Sequence, residues 1–301
     1  MITARIVSNK LPKWKIWLLA ARPKTLWAGI TPVVIGGALA LDIGRFHLLS
    51  FFAALSGSIL IQIGANFAND LFDFLKAADD ENRLGPTRVT QTGLVTLQEM
   101  KTATIVVFVL SAFVGFYLVY RGGVPILIIG LTSILFAVLY TAGPYPLGYI
   151  GLGELFVLIY YGPVAVAGTF YVMALKLNWI SVLAGIPPGM ISAAILTVNN
   201  LRDADNDQRS GKKTLAVRFG KTFAKWEYLI LMLGAILFPT ALFFLNHSHP
   251  RVFLTGLALF PAIPEIKKVF TIRGAELNQV LAQTGKILAL FGVLFSIGWL
   301  L

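Results

Sequence analysis

Eight of the 14 acidic residues in this 301-residue chain are concentrated in two short segments. They are Asp70, Asp73, Asp79, Asp80 and Glu81 in the first segment and Asp203, Asp205 and Asp207 in the second. Asn66, Asp70 and Asp73 follow one another at intervals of four and three residues, and Asn69 stands four residues before Asp73. This spacing places the side chains along one face of a helix. Because stacked like charges destabilise a helix unless a cation lies between them, the pattern indicates a cation-binding face.

The second segment repeats the four-residue interval in Asn199, Asp203 and Asp207. Both segments continue directly from an apolar stretch, the first through Asn66 and the second through Asn199 and Asn200. Polar side chains at that depth usually face a bundle interior or a wet cavity. Oxygen ligands favour Mg²⁺, which commonly shares its coordination with substrate phosphates. The pattern predicts a magnesium–diphosphate site, and solvated helix ends are the simpler alternative.

Basic residues accompany each acidic segment. Arg83 and Arg88 lie in RLGPTRVTQTG, Lys212 lies in SGKKTLAVRFG, and Arg202 directly precedes Asp203. A diphosphate needs cationic partners beyond a metal, and arginine can bind it through two parallel hydrogen bonds. We therefore interpret these four residues as candidate diphosphate ligands. The alternative is that they are ordinary loop charges that orient the chain in a membrane.

A third segment, YTAGPYPLGYIGLGE, runs from Tyr140 to Glu154. The ring of Tyr140 could shield a carbocation through cation–π attraction, although tyrosine is also a common anchor at membrane interfaces. Glu154 stands at the start of an apolar run. An ionisable residue in that position is more often functional or paired than idle.

Composition identifies the medium in which these residues must work. Hydrophobic residues make up 57% of the chain and charged residues only 13%, against about 25% in soluble domains. The chain lacks cysteine, which excludes thiolate ligation, and none of its three histidines lies near an acidic segment in the sequence. The net charge of +11 is better explained by loop residues that set membrane topology than by binding to nucleic acid.

Apolar runs long enough to cross a ~30 Å hydrocarbon core recur along the sequence. We predict nine spans, at about 17–41, 48–66, 102–120, 123–141, 152–172, 179–199, 226–246, 251–270 and 280–301. Most of the 25 Lys and Arg residues then fall on one side, which predicts a cytoplasmic N-terminus and an external C-terminus. No linker-like segment divides the chain, so we expect a single domain over residues 1–301.

Two stretches carry a resemblance to a known family. NFANDLFDFLKAADDENRLGPTRVTQTG and NNLRDADNDQRSGKKTLAVRFG resemble the two signatures of UbiA-type intramembrane aromatic prenyltransferases. ARPKTL near the N-terminus, the RLGPTR ending of the first loop, YTAGPYPLGYIGLGE and NNLRD resemble the branch that prenylates 1,4-dihydroxy-2-naphthoate for menaquinone. The resemblance covers essentially the whole chain.

The resemblance implies an all-α membrane protein with nine transmembrane helices around a central cavity, capped on the cytoplasmic side by two long loops. It implies two Mg²⁺ ions, with Asn69, Asp70, Asp73, Asp79, Asp203 and Asp207 as the candidate ligands. Asp79 departs from the pattern, since it follows Asp73 by six residues where shorter members have four. The catalytic assignment implied is Asp70, Asp73, Asp203 and Asp207 with Tyr140, and the weaker substrate-pocket assignment is Arg22, Lys24, Asn66, Asn199, Asn200 and Glu154.

The implied substrates are a polyprenyl diphosphate and 1,4-dihydroxy-2-naphthoate in a prokaryotic inner membrane. The reaction releases diphosphate and CO₂ and gives demethylmenaquinone. Two alternatives remain at this point: an enzyme of the same superfamily that prenylates 4-hydroxybenzoate or haem, and a transporter. A transporter explains the spans but not two aspartate segments with basic neighbours on one side of the membrane.

Overall fold

The structure is a computed structural model that describes residues 11–76 and 84–301. Every regular element in this part of the chain is helical. The α-helices are α1 (Lys13–Ala21), α2 (Trp27–Asp42), α3 (Leu48–Leu75), α4 (Leu97–Leu139), α5 (Gly153–Ile159), α6 (Ala165–Ala174), α7 (Trp179–Leu183), α8 (Ile186–Arg209), α9 (Leu215–Phe219), α10 (Lys221–Asn246), α11 (Leu259–Thr271) and α12 (Leu277–Leu300). A π-helical turn, Tyr160–Val164, joins α5 to α6, and a 3₁₀ segment, Pro250–Ala258, precedes α11.

Six helical segments of the described chain are long and apolar enough to cross a membrane. They are Leu48–Leu75, Leu97–Leu139, Gly153–Ala174, Trp179–Arg209, Lys221–Asn246 and Gly274–Leu300. The bent pair Lys13–Thr25 and Trp27–Asp42 makes a seventh if it is counted as one span. Large apolar side chains face outward, as Phe113 of α4 does with 79% exposure. The prediction of a multi-pass membrane protein is therefore confirmed.

The number of predicted spans, nine, exceeds the six or seven of the structure because of the helix geometry at three places in the chain. The run 17–41 is bent by 53° because Arg22 ends α1 in the left-handed conformation, with φ 51°. The run 251–270 begins as a 3₁₀ segment and continues in the 13-residue α11, which is too short to count alone. The run 102–120 lies within α4, and the run 123–141 covers its second half and the two residues after its end at Leu139.

Helix α4 is interrupted at Gly123, whose φ of 68° and ψ of −155° are not helical. Both ends of α4 contact the same part of α3: Met100 packs in a cluster with Leu71, and Thr141, just after α4, donates to Asn69. The middle of α4 lies elsewhere, since Arg121 donates to the carbonyl oxygen of Val172 at 2.8 Å. The chain therefore turns back at Gly123, a conformation that glycine adopts without steric cost.

The crossing of α8 with the helical run α5–α6 brings the backbones into close contact. A Cβ atom on Gly189 would lie 2.2 Å from the carbonyl oxygen of Leu158 and 3.0 Å from the Cα of Gly162. Small residues permit this approach between helices in a membrane. The crossing aligns the start of α5, which carries Glu154, with the part of α8 that carries Asn200 and the aspartates.

The loops at one end of the bundle hold one another in place. The amide of Lys213, between α8 and α9, donates to the carbonyl oxygen of Tyr149 at 2.7 Å. Arg218 of α9 donates to the carbonyl oxygen of Ile150 at 2.9 Å and to that of Lys213 at 3.0 Å. The segment between α4 and α5 is thereby fixed against the segment that follows α8.

We predict that Gly189→Ala destabilises the protein by about 1–3 kcal/mol, because the added methyl group overpacks the crossing of α5 and α8. Thermal unfolding in detergent measures the effect. Gly115→Ala is the matched control, since a Cβ there meets nothing within 4 Å and alanine is the better helix former. An unchanged unfolding temperature in Gly189→Ala would contradict the close crossing.

Candidate active site

A cavity of about 740 Å³ lies inside the bundle, with carboxylates and basic groups at one end. Asp73 of α3 and Asp203 and Asp207 of α8 line this polar end together with Lys212 and Arg88. The remaining wall is mostly apolar and includes Ile61, Ala112, Val119, Ile134, Phe136, Phe156 and Ile195. The space suits a ligand with an anionic head and an apolar tail.

Asp73 is the most heavily bonded carboxylate of the site. Its Oδ2 accepts from the guanidinium of Arg88, and its Oδ1 accepts from the hydroxyl of Tyr149 at 2.6 Å. The Nζ of Lys212 lies 3.7 Å from the same Oδ1. The side chain of Asp73 is only 3% exposed, so burial strengthens each of these charge-assisted contacts.

Lys212 lies between carboxylates that come from two helices. Its Nζ is 3.6 Å from Oδ1 of Asp207 on α8, in addition to its contact with Asp73 on α3. The same ammonium group stands 4.7 Å from the ring centre of Tyr149. A cation in this position offsets the repulsion between two buried like charges.

Asp203 is fixed by its own neighbour in the sequence. Arg202 donates to both carboxylate oxygens of Asp203, at 2.8 and 2.5 Å. Its guanidinium also donates to the side chains of Asn199 and Asn278, and it is fully buried. Arg202 does not line the cavity, whereas Asp203 does. Arg202 therefore orients Asp203 from behind, and its contact with a diphosphate stays a prediction.

Asp70 is turned away from the cavity, towards the loop that precedes α4. Its carboxylate accepts from the backbone amides of Val89 and Thr90 at 3.1 and 3.3 Å. The residue is 2% exposed and does not line the cavity. These bonds hold the loop in the position from which Arg88 reaches Asp73. The structure thus gives Asp70 a positioning role for Arg88.

Asn69 and Tyr140 complete the wall near the carboxylates. Asn69 accepts from the hydroxyl of Thr141 at 2.8 Å. Burial, together with the charges of Glu154, Asp207 and Asp73, raises the pKa of Tyr140 well above its ordinary value. Its hydroxyl is therefore a neutral group at physiological pH that can donate to, or relay a proton from, a ligand in the cavity.

A second polar group lines the cavity closer to α1. Asn66 donates to the carbonyl oxygen of Ala21 at 2.9 Å and to the hydroxyl of Thr25 at 3.0 Å. Gln62 donates to the same hydroxyl at 3.2 Å and accepts from the hydroxyl of Tyr161. Thr25 itself donates to the carbonyl oxygen of Arg22, which lines the same wall. This arrangement places hydrogen-bonding groups away from the carboxylates.

Most of the residues predicted from the sequence meet at the cavity. Those that line it are Arg22, Asn66, Asn69, Asp73, Arg88, Tyr140, Asn199, Asn200, Asp203, Asp207 and Lys212. Those that do not line it are Lys24, which is exposed, and Asp70, Glu154 and Arg202, which are buried beside it. Asp79 and Arg83 lie outside the described residues.

The sequence does not identify every residue of the cavity wall. Tyr149 lies within the segment from Tyr140 to Glu154, but nothing in the sequence distinguishes it from Tyr145. Lys76, three residues after Asp73, does not line the cavity, but its Nζ lies 4.8 Å from the ring centre of Tyr149. Gln62, by contrast, is indicated by the sequence, because it stands four residues before Asn66 and extends the polar face of α3.

The donor atoms at the polar end fit Mg²⁺ in kind, because they are carboxylate and amide oxygens. Within residues 11–76 and 84–301, no group of three or more His, Cys, Asp or Glu side chains is already gathered closely enough to hold an ion. The carboxylates instead contact Arg88, Lys212 and Arg202. A metal in this site would accordingly take part of its coordination from a bound phosphate group.

The fold and the cavity together define a class: a multi-pass membrane protein with an internal cavity that is polar and charged at one end and mostly apolar elsewhere. Residues 30–284 match the model of the UbiA prenyltransferase family, and the chain belongs to that family. The resemblance drawn from the two acidic segments is thereby confirmed.

Relatives of known activity are similar over nearly their full length. The chain is 36% identical over 304 residues to 1,4-dihydroxy-2-naphthoate octaprenyltransferase of Escherichia coli (strain K12), covering 97% of each chain. It is 37% identical to the protein of the same name from Mycobacterium tuberculosis (strain ATCC 25618 / H37Rv), covering 89% of this chain and 91% of that one.

Solved structures share the fold at lower identity. A UbiA homologue from Archaeoglobus fulgidus bound to DMAPP and Mg²⁺ aligns with a TM-score of 0.67 and 15% identity, over 94% of this chain and 98% of that chain. The apo structure of a UbiA homologue from Aeropyrum pernix K1 aligns with a TM-score of 0.68 and 18% identity, over 91% and 98%. At these identities the similarity establishes the fold.

We predict that Asp70→Ala speeds amide exchange at Val89 and Thr90, because both amides lose their acceptor, at a cost of about 1–3 kcal/mol for each buried group. Hydrogen–deuterium exchange of peptides covering the loop before α4 measures this. Asp205→Ala is the control: its ion pair with Lys221 is exposed, and such pairs contribute little. Equal exchange in both variants would show that Asp70 does not hold the loop.

Proposed function

We propose that the protein transfers a polyprenyl chain from an allylic diphosphate to 1,4-dihydroxy-2-naphthoate, with release of diphosphate and CO₂, to give demethylmenaquinone. One observation carries the proposal: carboxylates from α3 and α8 meet around Lys212 at the polar end of a long apolar cavity. The names and near-complete coverage of the bacterial relatives support the choice of acceptor. Haem and 4-hydroxybenzoate are accordingly less favoured.

The polar end of the cavity is suited to a diphosphate with Mg²⁺. Asn69, Asp73, Asp203 and Asp207 would hold the metal, and two ions match the two groups of ligands on α3 and α8. When bound, Mg²⁺ stabilises negative charge on the leaving diphosphate. The solved homologue bound to DMAPP and Mg²⁺ is consistent with this assignment.

The protein's own side chains would bind the diphosphate, shield the cation and exclude water from the cavity. Arg88 and Lys212, which hold the carboxylates here, would exchange part of their contacts for phosphate oxygens as the donor enters. Tyr140 and Tyr149 line the cavity, and their aromatic rings would lie beside the carbon that becomes cationic. The apolar wall binds the prenyl tail and keeps out the water that would quench the cation.

The acceptor ring has hydroxyl and carboxylate groups that need partners of their own. The second polar group supplies donors and acceptors in Arg22, Thr25, Gln62 and Asn66. These residues lie between α1 and α3, apart from the aspartates. We assign them to the acceptor side of the cavity.

We further propose nine membrane crossings within a single domain of residues 1–301. The reversal at Gly123 makes α4 two crossings, and the 3₁₀ segment with α11 adds another. The positive-inside bias then puts the N-terminus, the site and its capping loops on the cytoplasmic side. The bacterial relatives favour a prokaryotic inner membrane.

We expect Asp73→Ala and Asp203→Ala each to lower transfer by roughly 100-fold or more. Each variant lacks a carboxylate that would hold the Mg²⁺ that stabilises negative charge on the leaving diphosphate. The assay uses membranes, a polyprenyl diphosphate and 1,4-dihydroxy-2-naphthoate, with and without Mg²⁺. Asp205→Ala, whose side chain is 75% exposed, is the control and keeps wild-type turnover. Full turnover in either site variant would overturn the assignment.

A panel of acceptors tests the substrate class. We expect wild-type membranes to prenylate 1,4-dihydroxy-2-naphthoate with loss of labelled CO₂ from the carboxyl group, and to leave 4-hydroxybenzoate and haem unchanged. Faster prenylation of either alternative would reassign the acceptor. Uptake of substrate without Mg²⁺-dependent diphosphate release would favour a transporter.

A further inference from the structure

Lys286 is a charged residue inside a membrane-spanning helix, and the transfer mechanism above does not use it. It is the tenth residue of α12, which places it roughly 14 Å from the beginning of that helix at the usual rise per residue. The side chain is exposed and does not line the cavity. Its ammonium group has no ion pair or hydrogen bond within residues 11–76 and 84–301. A charge at this depth is costly and calls for a partner.

The face of α12 that carries Lys286 continues as an apolar stripe. Leu290 and Val293 follow at intervals of four and three residues and are 38% and 50% exposed. The stripe runs away from the aspartates, because Asn278, near the beginning of α12, accepts from Arg202 beside them. A cation at the upper end of an exposed apolar stripe matches the form of a phospholipid, which has a charged head and apolar chains.

Lys24 is a second exposed lysine at the same level of the bundle. It belongs to the 3₁₀ turn Pro23–Thr25, which joins α1 to α2. A Cβ atom on Gly285 would lie 3.0 Å from the carbonyl oxygen of Lys24, so α12 packs directly against this turn. Because Gly285 precedes Lys286, the two lysines occupy adjacent positions on two different segments. The ammonium group of Lys24 also has no ion pair or hydrogen bond among the described residues.

Close packing of α2 against α12 separates the two lysines from the cavity. A Cβ atom on Gly292 would lie 2.5 Å from Cγ2 of Thr31, and one on Gly285 would lie 4.0 Å from the ring of Trp27. Neither lysine lines the cavity, and Trp27 does not line it either. Trp27 is 41% exposed, as tryptophan at a membrane–water interface commonly is. The lysines therefore face the membrane and not the substrate site.

Helix α1 adds further basic and aromatic groups beside this corner. Ile16 is buried in a cluster with residues of α3, whereas Trp14 on another face of α1 is 63% exposed. Lys13 and Lys15 are exposed as well. A helix with exposed tryptophan and lysine is typical of the interface of an anionic membrane. Since α1 leads into the turn that carries Lys24, the basic character of this corner extends along the membrane surface.

We propose that Lys24 and Lys286 form a binding site for the phosphate of an anionic phospholipid. The phosphate lies between the two ammonium groups, and an acyl chain follows the stripe of Leu290 and Val293. The ring of Trp27 lies at the level of the headgroup. Basic pockets between membrane helices bind anionic headgroups in this way, and the lipid supplies the counter-charge that Lys286 lacks. The site is distinct from the substrate cavity and does not depend on the proposed reaction.

Native mass spectrometry of the purified full chain, titrated with phosphatidylglycerol or phosphatidylcholine, tests the site. We expect the wild type to bind its first phosphatidylglycerol more tightly than phosphatidylcholine. Lys24→Gln and Lys286→Gln each weaken the binding of phosphatidylglycerol by roughly 5-fold, the effect of one lysine near an anionic headgroup. The double variant loses the preference for phosphatidylglycerol, while its binding of phosphatidylcholine is unchanged.

Lys176→Gln is the matched control, because it removes the same charge from another exposed lysine. Lys176 lies in the loop after α6, where the nearby Asn178 lines a small cavity together with Trp299 at the far end of α12. It keeps the wild-type preference for phosphatidylglycerol. Lys286→Arg also keeps the preference, because arginine retains the charge and can bind a phosphate.

Equal binding of the two lipids by the wild type would overturn the inference, and so would wild-type affinity for phosphatidylglycerol in the double variant. Displacement of the lipid by inorganic phosphate at constant ionic strength would also overturn it, since the site would then bind phosphate without the acyl chains. If Lys286→Gln does not accumulate in membranes, Lys286→Leu decides by the same readout. Leucine extends the apolar stripe and favours insertion, so a loss of the lipid preference is expected, and its persistence contradicts the site.

Discussion

The ammonium group of Lys212 lies between the carboxylates of Asp73 on α3 and Asp207 on α8, and the site is built around this contact. Removing one partner of a buried ion pair costs about 3–5 kcal/mol, because the other charge is left without compensation. The two helices can therefore present like charges to one cavity only while cations hold them. A bound Mg²⁺ would meet the same electrostatic requirement.

The loops at this end of the bundle also hold Asp73 in place. Asp70 holds the loop that carries Arg88, and Arg88 in turn binds Asp73. Tyr149 bonds Asp73 through its hydroxyl, while its carbonyl oxygen accepts from the amide of Lys213, the neighbour of Lys212. Three loops that are distant in the sequence are thus tied to one carboxylate.

The sequence predicted the polar face of each helix because helical spacing fixes which side chains share a face. It could not show which members of a face reach the cavity. Asp70 and Asp73 are three residues apart, yet Asp70 binds backbone amides of a loop whereas Asp73 faces the cavity, and only tertiary packing separates them. Arg202 likewise carried a charge suited to diphosphate, but its position next to Asp203 turns it behind the carboxylate.

The membrane spans likewise include features that the sequence predicts and features that only the packed structure shows. Composition and apolar length were sufficient to predict a multi-pass helical protein, whereas the breaks depend on single residues. Gly123 reverses α4 and Arg22 bends the first span, and neither conformation can be read from hydropathy. The hydrogen bond that Asn200 of α8 donates to Glu154 of α5 joins two helices that cross closely at Gly189, and hydropathy does not specify this crossing either.

The most direct test of the account is to locate a metal and a diphosphate in the cavity. An experimental structure with Mn²⁺ and a prenyl diphosphate analogue that cannot ionise, recorded with anomalous scattering, would do so. The account predicts anomalous peaks between α3 and α8, in contact with Asp73 and with Asp203 or Asp207, and diphosphate oxygens within reach of Arg88 and Lys212. A diphosphate bound elsewhere, with Lys212 still between Asp73 and Asp207 and no metal at the aspartates, would contradict it.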